Sequence, residues 1–129
     1  MPRIHVCPLS RIGETVAQTG ALDMVTLINP DYPVERPAAV APHRHLYLGL
    51  SDITEHLDGH VLPAQQHVEA LLDFVRRWER RKPLLIHCYL GVSRSTAAAF
   101  IAACALRPAW DEAEIAALMR HHKGVAMFA

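Results

Sequence analysis

The sequence predicts a single α/β domain with a mainly parallel central sheet flanked by helices, spanning residues 1–129. Three observations carry that expectation. Short apolar runs alternate with amphipathic stretches along the chain, the order that builds strand–helix–strand units. Leu84-Leu85-Ile86 is a continuous apolar run of the kind buried on both faces of a parallel sheet, and an Ala-rich run from Thr96 to Leu106 follows it after a short turn. At 129 residues and 51% apolar content, the chain is long enough for one domain with a core and too short for two.

Taken in order, Ile4-His5-Val6-Cys7 reads as the first strand, and Ser10 is placed to cap a helix from Arg11 to about Thr19, closed by Gly20. Met24-Val25-Thr26-Leu27-Ile28 is the second strand. Pro30, Pro33, Pro37 and Pro42 exclude a regular helix between Asn29 and Arg44, so that stretch is a long ordered loop. Leu46-Tyr47-Leu48-Gly49-Leu50 is the third strand. Pro63 opens the clearest helix, with Val68, Leu71, Leu72, Val75 and Trp78 on one face, and Arg80, Arg81 and Lys82 before Pro83 mark its end. Thr96 to Leu106 is apolar nearly all round, as in a central buried helix. Asp111-Glu112-Ala113-Glu114 resembles a capping box for a last helix, with Ile115, Leu118 and Met119 inward and Gly124 at its close.

Thirteen basic and thirteen acidic side chains cancel, so no global field argues for nucleic acid or an anionic membrane. Three cysteines without a spaced framework point to a reducing compartment. The N-terminal Met1-Pro2-Arg3-Ile4-His5-Val6-Cys7-Pro8 has no apolar signal core, and no run approaches membrane-spanning length, so a cytoplasmic location is expected. Nine histidines invite a metal site, and His56 and His60 have the spacing of a helical ligand pair; Gly59 interrupts them and no third ligand stands near, so no metal and no cofactor is expected.

The chemistry is concentrated in Ile86-His87-Cys88-Tyr89-Leu90-Gly91-Val92-Ser93-Arg94-Ser95-Thr96. A strand-to-helix turn points successive backbone N–H groups into one concavity with a helix N-terminus behind it, which favours an anion with several oxygens. Gly91 frees the backbone for a conformation that a side chain resists. Arg94 can grip two phosphate oxygens with its planar fork. The same N–H dipoles, with Arg94, favour the thiolate of Cys88, and Ser95 can donate its hydroxyl to that sulfur.

This string resembles the His-Cys-x5-Arg-Ser/Thr signature of the cysteine-dependent protein tyrosine phosphatases, and the short chain is most similar to their dual-specificity-type or small bacterial branch. Leu90 stands where many relatives have Ala. The resemblance implies a phosphatase-type loop between the last strand and a buried helix; relatives usually continue through one more helix, so at Ala129 either that element is absent or the sequence is shortened. It also implies a metal-independent, two-step hydrolysis. Cys88 attacks phosphorus, a phosphocysteine forms, and water releases phosphate. The backbone N–H groups of Tyr89, Leu90, Gly91, Val92, Ser93 and Arg94 would bind the phosphate, and His87 would orient the loop and tune the thiol.

The family's general acid is an Asp on a loop upstream of the signature. Asp52 follows the third strand and so would lie at the same sheet edge as Cys88; Asp58, in an evident turn, is closer to the usual spacing. Asp52 is the preferred candidate and Asp58 the second. Tyr89, Leu90, Val92 and Ser93 add no positive charge to the loop, which favours a phosphotyrosine-type monoester, on a protein or a small molecule, over a highly anionic headgroup. Arg11, Arg36, His43 and Arg44 are candidate rim residues. Cys7 could approach Cys88 if both strands end at one edge, which makes a reversible disulfide conceivable. The competing readings are a phospho-ligand binding module without turnover and a rhodanese-type sulfurtransferase.

Overall fold

The computed structural model describes residues 3–51, 64–91, 93–106 and 113, and the backbone of 126–128. Its elements in order are β1 (Arg3–Pro8), α1 (Ile12–Thr19), β2 (Asp23–Ile28), β3 (His45–Gly49), α2 (Gln65–Arg77), β4 (Leu84–Cys88), α3 (Arg94–Leu106) and β5 (Ala126–Phe128), with 3-10 turns at Leu9–Arg11 and Pro42–Arg44. The strands form one sheet in the order β3-β2-β4-β1-β5. The first four are mutually parallel, and β5 pairs antiparallel with β1. β4 is therefore not the final strand. Three residues are too few to display an alternating pattern, so β5 gave no readable signal in the sequence.

Alternation along the strands divides the core in two. On one face Val25, Leu27, Leu48, Leu84, Ile86 and Cys88 pack against Leu71, Phe74, Val75 and Trp78 of the α2 region and Ala98, Ala99 and Ala102 of α3. On the other face Cys7, Met24 and Leu85 meet Ile12 and Val16 of α1, with Val40 from the proline-rich loop. β2 and β4 are buried at every position, which is why both read as unbroken apolar runs. The small side chains of α3 let its backbone come close to the sheet.

Some local expectations change. Ser10 lies in the 3-10 turn and caps nothing; α1 begins at Ile12 with Arg11 at its N-cap. Gly20 does end that helix, at φ 74° with its N–H on the Val16 carbonyl. In α2 the buried stripe is Leu71, Phe74 and Val75, continued by Trp78, whereas Val68 is 37% exposed because the first turns of the helix extend past the core. The α3 helix is buried on one face only, with Ala97 and Ala105 exposed. Asp111, Glu112, Glu114, Ile115, Leu118, Met119 and Gly124 lie outside the described residues. No helix among the described residues is long and apolar enough to cross a membrane.

Candidate active site

Four parallel strands place their C-terminal ends along one edge, where Pro8, Ile28, Gly49 and Cys88 terminate β1, β2, β3 and β4. Beyond Cys88 the chain turns through residues 89–93 into α3, whose first residue is Arg94. The turn is pinned over the end of β1 by the Leu9 N–H, which donates to the Tyr89 carbonyl at 3.1 Å. Gly91 takes φ +75°, and a Cβ there would meet Pro8 N at 2.6 Å and the Cys7 carbonyl carbon at 2.7 Å. Those neighbours are backbone and cannot yield, so both conformation and space demand glycine.

The turn wraps around a sulfur. Cys88 is 2% exposed, its Sγ lies 3.1 Å from Ser95 Oγ, and the Gly91 N–H donates to it at 3.1 Å. Burial pushes the thiol pKa up. The Ser95 hydroxyl and the backbone N–H groups of Ser95, Gly91 and Ser93 push it down, and together they prevail, so the net shift is downward. The groups that stabilise the thiolate are thus Ser95 and the backbone. Arg94 is directed elsewhere. Its Nη1 donates to Asn29 Oδ1 at 2.9 Å and to the Leu50 carbonyl at 3.0 Å, while its Nε is buried without a hydrogen-bond partner. A buried donor left unpaired is costly, and an oxyanion is its natural partner.

A cavity of about 400 Å³ opens over Cys88, lined by Asn29, Tyr32, Tyr89, Leu90, Ser93 and Arg94. Tyr32 and Tyr89 meet edge to face with ring centroids 5.9 Å apart. Tyr47 Oη lies 2.8 Å from the Asn29 carbonyl and 3.0 Å from the Tyr32 carbonyl, and its one proton, shared between them, ties the start of the proline-rich loop to β3. The cationic residues expected at the rim do not line this cavity. Arg11 pairs with Glu14, Arg36 donates to the Val40 carbonyl, and Arg44 makes a two-pronged pair with Asp23 at 2.9 and 2.8 Å. His43 lines a separate depression with Asp23, Arg44 and Trp78.

Because successive strand residues face opposite ways, His87 points to the α1 side of the sheet, away from Cys88. It is fully buried, and its Nε2 is 2.7 Å from Thr26 Oγ1, which is in turn 2.7 Å from His45 Nε2. Burial lowers the His87 pKa to about 4, against the opposing influence of the Cys88 backbone. Cys7 belongs to the same side. Pro8 is the register partner of Cys88, so the Cys7 side chain projects from the opposite face, among Ile12, Val16 and Leu85. A disulfide between Cys7 and Cys88 does not fit that arrangement, and burial raises the Cys7 thiol to about 11.

Asp52, Asp58, Val92, His56 and His60 lie outside the described residues. Among the described residues no group of three or more His, Cys, Asp or Glu side chains is placed to hold a metal ion. Sequence reasoning missed Asn29, Tyr32, Thr26 and His45. Asn29 follows β2 directly at the edge shared with Cys88, but only the strand order sets it beside β4.

No protein-family model matches the chain, and no curated protein does. Solved structures do. The Cydia pomonella PTP-2 phosphatase shares 22% identity at a TM-score of 0.59, over 86% of this chain and 70% of that one. OH1 from the Orf virus, described as a tyrosine phosphatase with triple substrate specificity, shares 17% identity at a TM-score of 0.63, over 97% of this chain and 78% of that one. Tk-PTP in its active form shares 21% identity at a TM-score of 0.58, over 95% and 82%. The chain therefore has the protein tyrosine phosphatase fold.

Proposed function

We propose that this chain is a phosphatase that hydrolyses phosphotyrosine-type monoesters, on proteins or small molecules, through a phosphocysteine on Cys88. The observation that carries the reading is the thiol of Cys88, held in the floor of a cavity by Ser95 and the Gly91 N–H with its pKa shifted down. Cys88 attacks phosphorus as the thiolate and the ester oxygen leaves. Arg94, swinging its fork from Asn29 to the equatorial oxygens, stabilises their growing charge together with the loop N–H groups of Tyr89 to Arg94. Water then attacks the phosphocysteine, and Ser95 stabilises the departing thiolate. The leaving oxygen needs a proton, for which Asp52 is the proposed acid. Arg94 holds the carbonyl of Leu50, which supports Asp52 over Asp58, farther along the chain. No metal or cofactor enters these steps, and the reading treats residues 1–129 as one catalytic domain acting in the cytoplasm.

The fold shared with tyrosine phosphatases supports the same reaction class. The aromatic wall of Tyr32 and Tyr89, with Arg94 the one cationic side chain among the described residues that line the cavity, favours an aryl monoester over a polyphosphorylated headgroup. Hydrolysis of p-nitrophenyl phosphate with reductant and EDTA, compared between the wild type and Cys88→Ser, tests the reading. Turnover confined to the wild type is expected. Equal turnover in both would remove Cys88 from the reaction, and a folded wild type that binds vanadate without turnover would leave a phosphate-binding module.

A further inference from the structure

Behind the thiol, three strands contribute one side chain each to a buried polar chain that the reaction above does not use. Thr26 is the register partner of His87 across β2 and β4, so its hydroxyl is fixed by the sheet itself. His45 begins β3 and reaches Thr26 from the other side. Both ring nitrogens lie 2.7 Å from the one hydroxyl oxygen. A hydroxyl has one proton, so it can donate to only one of the two rings and must accept from the other.

Two directions are available, and they differ at His87. Burial keeps this ring neutral at ordinary pH, so it has one proton to place. If His87 donates from Nε2, its buried Nδ1 is a bare acceptor, and that atom has no hydrogen-bond partner. If His87 accepts at Nε2, Nδ1 carries the proton and can turn it toward the backbone of Cys88, the group that favours protonation of this ring. Nδ1 has no hydrogen-bond partner as the ring now lies, and only the second direction gives it a proton to offer the adjoining Cys88 backbone. His45 can donate in either charge state. Among the described residues the charge acting on it is Arg36, and Arg44, its chain neighbour, is paired with Asp23.

We propose that Thr26 and His45 are positioning residues for Cys88: His45 Nε2–H donates to Thr26, the Thr26 hydroxyl donates to His87 Nε2, and His87 carries its proton at Nδ1, against the Cys88 backbone. An N–H directed at the Cys88 carbonyl polarises the residue bearing the thiolate and fixes the end of β4 from which the turn departs. The inference rests on the reading of Cys88 as the nucleophile.

Long-range proton–nitrogen correlation spectra of the histidine rings in the wild type test it directly. The expected pattern is a protonated Nδ1 and an acceptor Nε2 at His87; a proton on Nε2 overturns the proposal. The second measurement is iodoacetamide alkylation of Cys88 against pH, read by mass spectrometry on the peptide that bears it. Thr26→Val should raise the apparent thiol pKa and slow alkylation near neutrality by roughly three- to tenfold, the effect of half to one pH unit. Thr26→Ser, which keeps the hydroxyl, should restore most of the rate. A folded Thr26→Val with the wild-type profile, or a Thr26→Ser no better than Thr26→Val, overturns the proposal. Should Thr26→Val fail to fold, the wild-type ring spectrum decides alone. Neither measurement needs turnover, so an inactive wild type would count against the phosphatase reading separately.

Discussion

At the level of single residues, the thiol of Cys88 is set by a contest between burial, which opposes ionisation, and hydrogen bonds, which favour it. The largest favourable contribution comes from the Ser95 hydroxyl, so Ser95→Ala should move the thiol pKa upward. A hydrogen bond to a charged group is worth about 1.5–3 kcal/mol, or roughly one to two pH units. The acid limb of the Cys88 alkylation profile should shift to higher pH by about that much, and an unchanged limb would exclude Ser95 from the thiolate's support. Cys88, Gly91, Arg94 and Ser95 were legible together because they share one stretch of chain, where spacing alone brings them around one turn. Asn29, Thr26 and His45 were not. Their meeting with Arg94 and His87 depends on β2 lying between β3 and β4, an order that no local pattern encodes.

Among the elements, the strands were the most legible, since an apolar run buried on both faces leaves little ambiguity. Helix faces were read less well. The sequence favoured a stripe beginning at Val68, but burial starts a turn later, where Leu71, Phe74, Val75 and Trp78 reach the sheet. Periodicity shows which face is apolar; it does not show how far along the helix the core extends. Phe74→Ala should therefore cost about 3–5 kcal/mol of stability, the usual penalty for emptying a buried aromatic site. Val68→Ala should stay within about 0.5 kcal/mol, as exposed substitutions do. Denaturant unfolding of the two variants checks the contrast, and equal losses would mean that the first turns of α2 pack as tightly as its middle.

For the whole molecule, parallel strands bring four C-terminal ends to one edge, and the cavity forms there because the turn after β4 and the loop after β2 are neighbours across that edge. The short β5 and the pairing order were the unreadable parts of this plan, being properties of contacts distant in sequence. The buried network behind Cys88 also ties the fold to pH. His87 has a pKa lowered to about 4 in the folded protein and near 6.5 when the chain is unfolded. The unfolded chain takes up the proton first, so the contribution of His87 is full above about 6.5 and is lost as pH falls toward 4. Unfolding free energy should decline across that window by about 3 kcal/mol, and urea unfolding of His87→Asn should show a flatter dependence. The measurement closest to the central claim is rapid acid quench of the wild type during hydrolysis of an aryl phosphate, with peptide mass spectrometry of the trapped protein. One phosphoryl group on Cys88, absent at Cys7 and Cys104, is the predicted result; steady turnover with no phosphoryl group on Cys88, or with it on another residue, would contradict the account.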